Sequence, residues 1–270
     1  MTQWDGSSVS FFASHAGDTE EPSPCVTEGR CAMRKPILIV LMRPATILVL
    51  TLIMFLSGMT YYLAEPVLDP IPGVLQQVRI LIDPGHGGID PGTGERFKLY
   101  EKDINLDLAF RLRALLESKG AAVDLTRWSD QELSNLSPDL KAGRHRRDLW
   151  GRVFLAHAYD TAILISLHAN SSTDEAERGS IVFYARGSED GKALAGAVQA
   201  QLLKLQPYSR QQALPTSSMR VVNSTQCLTI LIEIGFITNS ADRQLMQNVE
   251  YREQLAQAIA QGIQEYLTQR

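Results

Sequence analysis

The chain has 270 residues, of which 44% are hydrophobic and 21% charged, enough apolar material for one or two folded domains and too much for disorder throughout. A net charge of −4 gives no electrostatic case for a nucleic-acid partner. Three cysteines over this length cannot build a disulfide scaffold.

Residues 1–32 are rich in Ser, Thr, Glu, Gly and Pro and lack periodicity. They read as a cytoplasmic tail or an artefact of start-site choice, because Met33 opens MRKPILIVL, an ordinary short basic leader. Pro44 to Ala64 then runs for 21 residues without a charge. A helix needs about 20 apolar residues to cross the hydrocarbon core, so residues 44–64 are expected to form one transmembrane anchor. Arg34, Lys35 and Arg43 precede the run and would stay in the cytoplasm, placing everything after Glu65 outside. A cleaved signal peptide is the alternative, which would make the protein secreted; Tyr62-Leu63-Ala64 is a poor small-x-small cleavage pattern.

Residues 65–76 carry three prolines and a glycine by Val74 and are read as a linker. From 77 to 270 the pattern alternates. Strand-like runs occur at 78–83, 121–126, 162–167, 180–185 and 229–234. Helical periodicities lie at Ile104–Leu115, Leu194–Leu205 and Tyr251–Ile263. This alternation predicts a single α/β domain with a central, mostly parallel sheet flanked by helices. Cys227, the one cysteine of this part, is expected to pack as a small apolar residue beside the last strand.

Polar residues at strand ends are the functional candidates. His86 in ILIDPGHGGIDPG follows a strand among glycines that let the backbone turn sharply. The same glycines match neither a P-loop nor GxGxxG. Glu101 opens a helix, where an acid also has a purely structural explanation in the helix dipole. His168 ends the run AILISLH, with Asn170 nearby as a candidate substrate contact. Glu233 lies inside the apolar run TILIEIGFI, where a buried carboxylate needs a cation, an arginine or a raised pKa. Arg127, in LTRWSD, is either an internal ion pair or a ligand for a substrate carboxylate. Two histidines, a carboxylate and a second free carboxylate form the inventory of a catalytic zinc site, three ligands leaving a fourth position open. No HExxH is present, so such ligands must converge from separate strand ends.

Four segments, DPGHGG, E-K-D-x-N-L at 101–106, SLHAN at 166–170 and IEIGFITN at 232–239, resemble in order the motifs of the zinc-dependent N-acetylmuramoyl-L-alanine amidases. The resemblance implies one Zn²⁺ held by His86, Glu101 and His168, with Glu233 as the catalytic acid/base. It also implies an α/β fold and hydrolysis of the amide between N-acetylmuramic acid and L-alanine in peptidoglycan. The single anchor, the absence of wall-binding repeats and the insert Ser137–Arg152 resemble the germination-specific branch, which strips peptides during spore-cortex synthesis so that muramic δ-lactam can form. In that reading the domain works in the cell wall or the forespore intermembrane space. The basic cluster Lys141, Arg144, Arg146 and Arg147 is either a solvated helix face or a surface for anionic wall material or a protein partner. Only 64 residues separate His168 from Glu233, little room for the plugging helix of some division amidases. A general wall amidase, a zinc peptidase cutting another wall amide, and a catalytically dead wall-binding module are the rival readings.

Overall fold

The computed structural model describes residues 44–63 and 73–270, side chains at 57–58 and 60–63 excepted. The chain divides into two units, Met1–Pro66 and Val67–Arg270. Expectations for residues 1–32 and for most of the linker fall outside the described residues.

In the first unit, α1 (Pro44–Leu63) is a helix of 20 residues with no charged side chain. At a rise of 1.5 Å per residue it is about 30 Å long. Its side chains are described continuously only as far as Leu56. Among the described residues no helix is long and apolar enough to cross a membrane.

The second unit is built on six strands in the order β2-β1-β3-β6-β4-β5. The strands are β1 (Arg79–Pro84), β2 (Ala122–Leu125), β3 (Ile163–Asn170), β4 (Ile181–Ala185), β5 (Leu214–Thr216) and β6 (Leu228–Phe236). Every neighbouring pair is parallel except β4 with β6. The runs Ile80–Ile82, Ile163–Ile165 and Ile230–Ile232 are apolar without interruption because parallel strands are covered on both faces. Five further helices lie between or after the strands: α2 (Glu101–Ser118), α3 (Arg144–Ala158), α4 (Glu189–Leu205), α5 (Arg220–Ser224) and α6 (Ser240–Gln247), with α7 (Val249–Thr268) closing the chain.

Alternation along β1 sends its side chains to opposite faces. Ile80 and Ile82 join Leu108 and Leu112 of α2, Leu194 and Val198 of α4, and Leu255 and Ile259 of α7 in the large core. Leu81 points the other way and packs with Leu164, Ala156 of α3 and Val221 of α5. Each such side chain contributes roughly 1.5–3 kcal/mol by leaving water. Cys227 is half-buried against the smaller cluster, as a small apolar residue would be.

The face under α3 also holds a buried polar network. Asp83, fully buried at the end of β1, accepts from Arg152 Nη1 at 2.6 Å, Thr126 Oγ1 at 2.7 Å and Ser166 Oγ at 2.8 Å. Arg152 Nε donates to Asp148 at 2.9 Å, and Asp148 accepts from the Leu133 backbone N–H at 2.7 Å. The remaining Arg152 donors reach the carbonyls of Pro84 at 3.0 Å and His86 at 2.8 Å. Burial works against the Asp83 carboxylate, but Arg152 beside it and the two hydroxyls hold it below the usual carboxylate range.

Candidate metal and catalytic site

The parallel strands β1, β3 and β6 end on the same edge of the sheet, the place where α/β folds gather functional groups. β1 delivers His86 two residues past its end, in a left-handed backbone conformation at φ 62°. β3 carries His168 and β6 carries Glu233, and the two are direct partners in the ladder. Glu101 comes from the first turn of α2 and is 1% exposed.

These positions bring His86, Glu101 and His168 together, with one ligand atom from each lying within 4.8 Å of the others. Glu101 Oε1 is 3.1 Å from His86 Nε2 and 3.0 Å from His168 Nδ1. The same oxygen accepts from the Ala169 N–H at 3.0 Å, while Oε2 accepts from the Thr93 N–H at 2.8 Å. Burial opposes the Glu101 charge, yet the two histidines hold its carboxyl well below the usual range. Burial likewise opposes charge on His86, but Glu101 and Asp90 outweigh it and raise the imidazole to about 9. The two imidazoles and the buried Glu101 carboxylate form an N₂O donor set whose spacing suits a small tetrahedral ion, and zinc fits it.

Glu233 stands beside this cluster. The residue is partly accessible, but its Oε2 is sealed from solvent and has no hydrogen-bond partner among the described residues. Burial pushes the carboxyl up to about 7, with Glu101 adding to the rise and the two histidines opposing it. No arginine or lysine compensates it. That is the environment of a proton carrier near neutral pH.

The structure does not give Arg127 the role of a substrate ligand. Arg127 is 1% exposed, and its guanidinium donates to the carbonyls of Pro84 at 2.9 Å, Ser129 at 3.0 Å, Gly85 at 3.2 Å and Lys102 at 2.7 Å. Among the described residues it makes no ion pair either; it holds the loop that carries His86. Asn170 is half-buried at the end of β3, past a register shift in the ladder, and its Oδ1 accepts from the Ser171 N–H at 2.8 Å. The basic cluster is dispersed: Arg144 pairs with Glu132 at 2.9 Å and Arg147 donates to the carbonyls of Leu140 and Ala142.

Two residues not singled out by sequence also touch the site. Asp90 Oδ2 lies 3.1 Å from His86 Nδ1. The wholly buried Asn105 donates to the Gly85 carbonyl at 3.3 Å and approaches Glu101 Oε1 at 3.5 Å. The sequence signal for Asp90 is its position four residues after His86, and Asn105 is the Asn of the E-K-D-x-N-L segment, four residues after Glu101.

Gly85 is required by close approach. A Cβ there would lie 2.2 Å from the His168 ring. Gly85→Ala should therefore swing the imidazole out of the cluster, and a misplacement of about 1 Å can cost about 10²-fold in rate. Initial rates on wall material, with circular dichroism confirming the fold, check this; an unchanged rate would show that the ring does not need its present position.

A family model described as N-acetylmuramoyl-L-alanine amidase matches residues 80–265. The chain is 32% identical over 194 residues to the germination-specific N-acetylmuramoyl-L-alanine amidase of Bacillus subtilis (strain 168), covering 71% of this chain and 80% of that protein. It superposes with a TM-score of 0.65 and 30% identity on the CwlD amidase from Clostridioides difficile, solved in complex with the GerS lipoprotein, covering 71% of this chain and 98% of that one. An N-acetylmuramoyl-L-alanine amidase from Clostridium difficile 630 gives a TM-score of 0.63 at 30% identity, covering 72% and 99% of the two chains.

Proposed function

The chain belongs to the N-acetylmuramoyl-L-alanine amidase family, and from that premise we propose a zinc-dependent mechanism, a membrane anchor and a role in spore-cortex maturation. Its activity is that of the family: hydrolysis, on peptidoglycan, of the amide joining N-acetylmuramic acid to the L-alanine of the stem peptide.

The observation that carries the mechanism is the convergence of His86, Glu101 and His168 within 4.8 Å beside the unpartnered Glu233 oxygen. The three would hold the zinc. When bound, the ion supplies a Lewis acid for the scissile carbonyl and lowers the pKa of water toward about 7. Glu233 takes the proton of the attacking water on its carboxylate and returns it to the leaving nitrogen, so that L-alanine departs as a free amine. Its unpartnered Oε2 leaves it free to do both. Asn170, two residues beyond His168, would be the substrate contact beside the cluster.

The anchor rests on α1 and its flanks. Arg34, Lys35 and Arg43 precede the uncharged helix, which favours a cytoplasmic N-terminus and an outward-facing catalytic domain. The cortex role rests on similarity to a germination-specific amidase. The same reading admits a protein partner, since the similar CwlD amidase was solved with a lipoprotein.

Full-length protein in detergent, incubated with purified sacculi, should release new N-terminal L-alanine, and a chelator should abolish this until zinc is restored. Cleavage at another amide would point to a wall peptidase, and chelator resistance would exclude the metal reading. Spores of a deletion strain should lack muramic δ-lactam; normal δ-lactam content would exclude the cortex role.

A further inference from the structure

We infer that Asp90 is the positioning residue of His86, fixing which imidazole nitrogen faces the Glu101–His168 cluster. The inference rests on the zinc reading above. His86 has two neighbours on opposite sides of its ring: Asp90 Oδ2 lies 3.1 Å from Nδ1, and Glu101 Oε1 lies 3.1 Å from Nε2. A carboxylate can only accept, so Asp90 commits Nδ1 to donating and makes Nε2, which faces Glu101, the nitrogen that would be turned to a metal. The loop is closed to make this contact. The Gly87 N–H donates to the Asp90 carbonyl at 3.0 Å, and the Asp90 N–H donates back to Gly87 at 3.2 Å. The other carboxylate oxygen, Oδ1, accepts from the Gly92 N–H at 3.2 Å. Both oxygens are thus committed to donors, one on the imidazole and one on the backbone. His145 Nδ1 is also near Oδ2, but at 3.9 Å and on a side chain 67% exposed, too far for a hydrogen bond.

That double commitment makes Asp90→Asn informative. An amide has one oxygen. If it stays on the Gly92 N–H, the NH₂ faces Nδ1 and selects the tautomer protonated on Nε2, which cannot bind a metal. Asp90→Ala removes the acceptor altogether. The test uses the full chain in detergent and measures zinc affinity by competition with a chromophoric chelator, the melting temperature of the zinc-free protein, and the ¹⁵N shifts of the His86 imidazole. Both variants should lose about 10–100-fold in zinc affinity, the usual effect of removing the partner behind a metal-binding histidine. The zinc-loaded wild type should show a protonated Nδ1 on His86, Asp90→Asn should lose that signature, and His145→Ala should bind zinc within twofold of wild type.

A wild-type chain that takes up no zinc overturns the metal reading and this inference with it. Wild-type zinc uptake with variant affinities within twofold overturns this inference alone. So does a fall in zinc-free melting temperature at unchanged affinity, which a purely structural acid would give, or a His145→Ala variant that reproduces the loss.

Discussion

Replacing Glu233 by Gln should cut turnover by about 10²–10⁴-fold, the contribution of a positioned proton-transfer group, while zinc stays bound. The substitution keeps the shape of the side chain and removes its capacity to take a proton. It also relieves a strained arrangement, because the carboxylate is buried with no partner for Oε2 and carries a pKa raised to about 7. The variant should therefore fold at least as stably as the parent. Glu101→Gln should behave in the opposite way. Glu101 is held ionised between two imidazoles, and an amide oxygen is a poorer donor to zinc. Metal content and rate should fall together. Measuring zinc stoichiometry and turnover on both variants decides the assignment: if Glu233→Gln loses zinc while Glu101→Gln keeps it, the two roles are exchanged.

Arg152→Leu should destabilise the domain by about 3–5 kcal/mol, because it strands the Asp83 and Asp148 carboxylates in the interior. The loss is larger than deletion of an exposed ion pair because Arg152 is 2% exposed and Asp83 has no contact with water. It should reach the site as well, since the lost guanidinium also releases the His86 carbonyl. The linkage sign follows from the lowered pKa of Asp83. Its folded value lies below the unfolded one near ~3.9, so its contribution is present above that value and withdrawn as the pH falls through the folded pKa. Denaturant midpoints from pH 7 to pH 3 should fall for the parent and fall less for Asp83→Asn, which starts lower. Parallel pH profiles would show that Asp83 carries no such linkage.

The parts of the fold that sequence made legible are those that apolar pattern alone determines. β1, β3 and β6 each hold an unbroken Ile-Leu-Ile run because both of their faces are covered, and α2, α4 and α7 show the 3.6-residue stripe of helices with one buried face. α3 gave no such stripe. Its buried face is Asp148, Gly151 and Arg152 as well as Val153 and Ala156, so a charged segment packs inside by pairing rather than by hydrophobicity. β5 is three residues around Pro215, too short and too irregular to register as a strand. At the site, His86 and His168 were legible because they sit at strand ends, and Glu233 because a carboxylate in an apolar strand demands an explanation. Glu101 was not legible from its own surroundings; an acid in a first helical turn has a sufficient reason to be there, and only the family motif pointed elsewhere. Arg127 misled because a strand-end arginine looks identical whether it faces a ligand or, as here, four backbone carbonyls. Asp90 was hidden in a Gly-Ile-Asp-Pro turn, where aspartate is ordinary.

His168 and Glu233 occupy the same rung of two hydrogen-bonded parallel strands. Their backbones are consequently held about 4.8 Å apart by strand spacing, so the ladder fixes the points from which a nitrogen of the cluster and the proton carrier both start. Residues 93–100 hold Glu101 through the Thr93 N–H and are bound to the chemistry, whereas loop 171–178, which meets Arg96 through Glu175, carries none of the four site residues. A library randomised in loop 171–178 would change that rim while every member keeps His168 and Glu233 on the same rung.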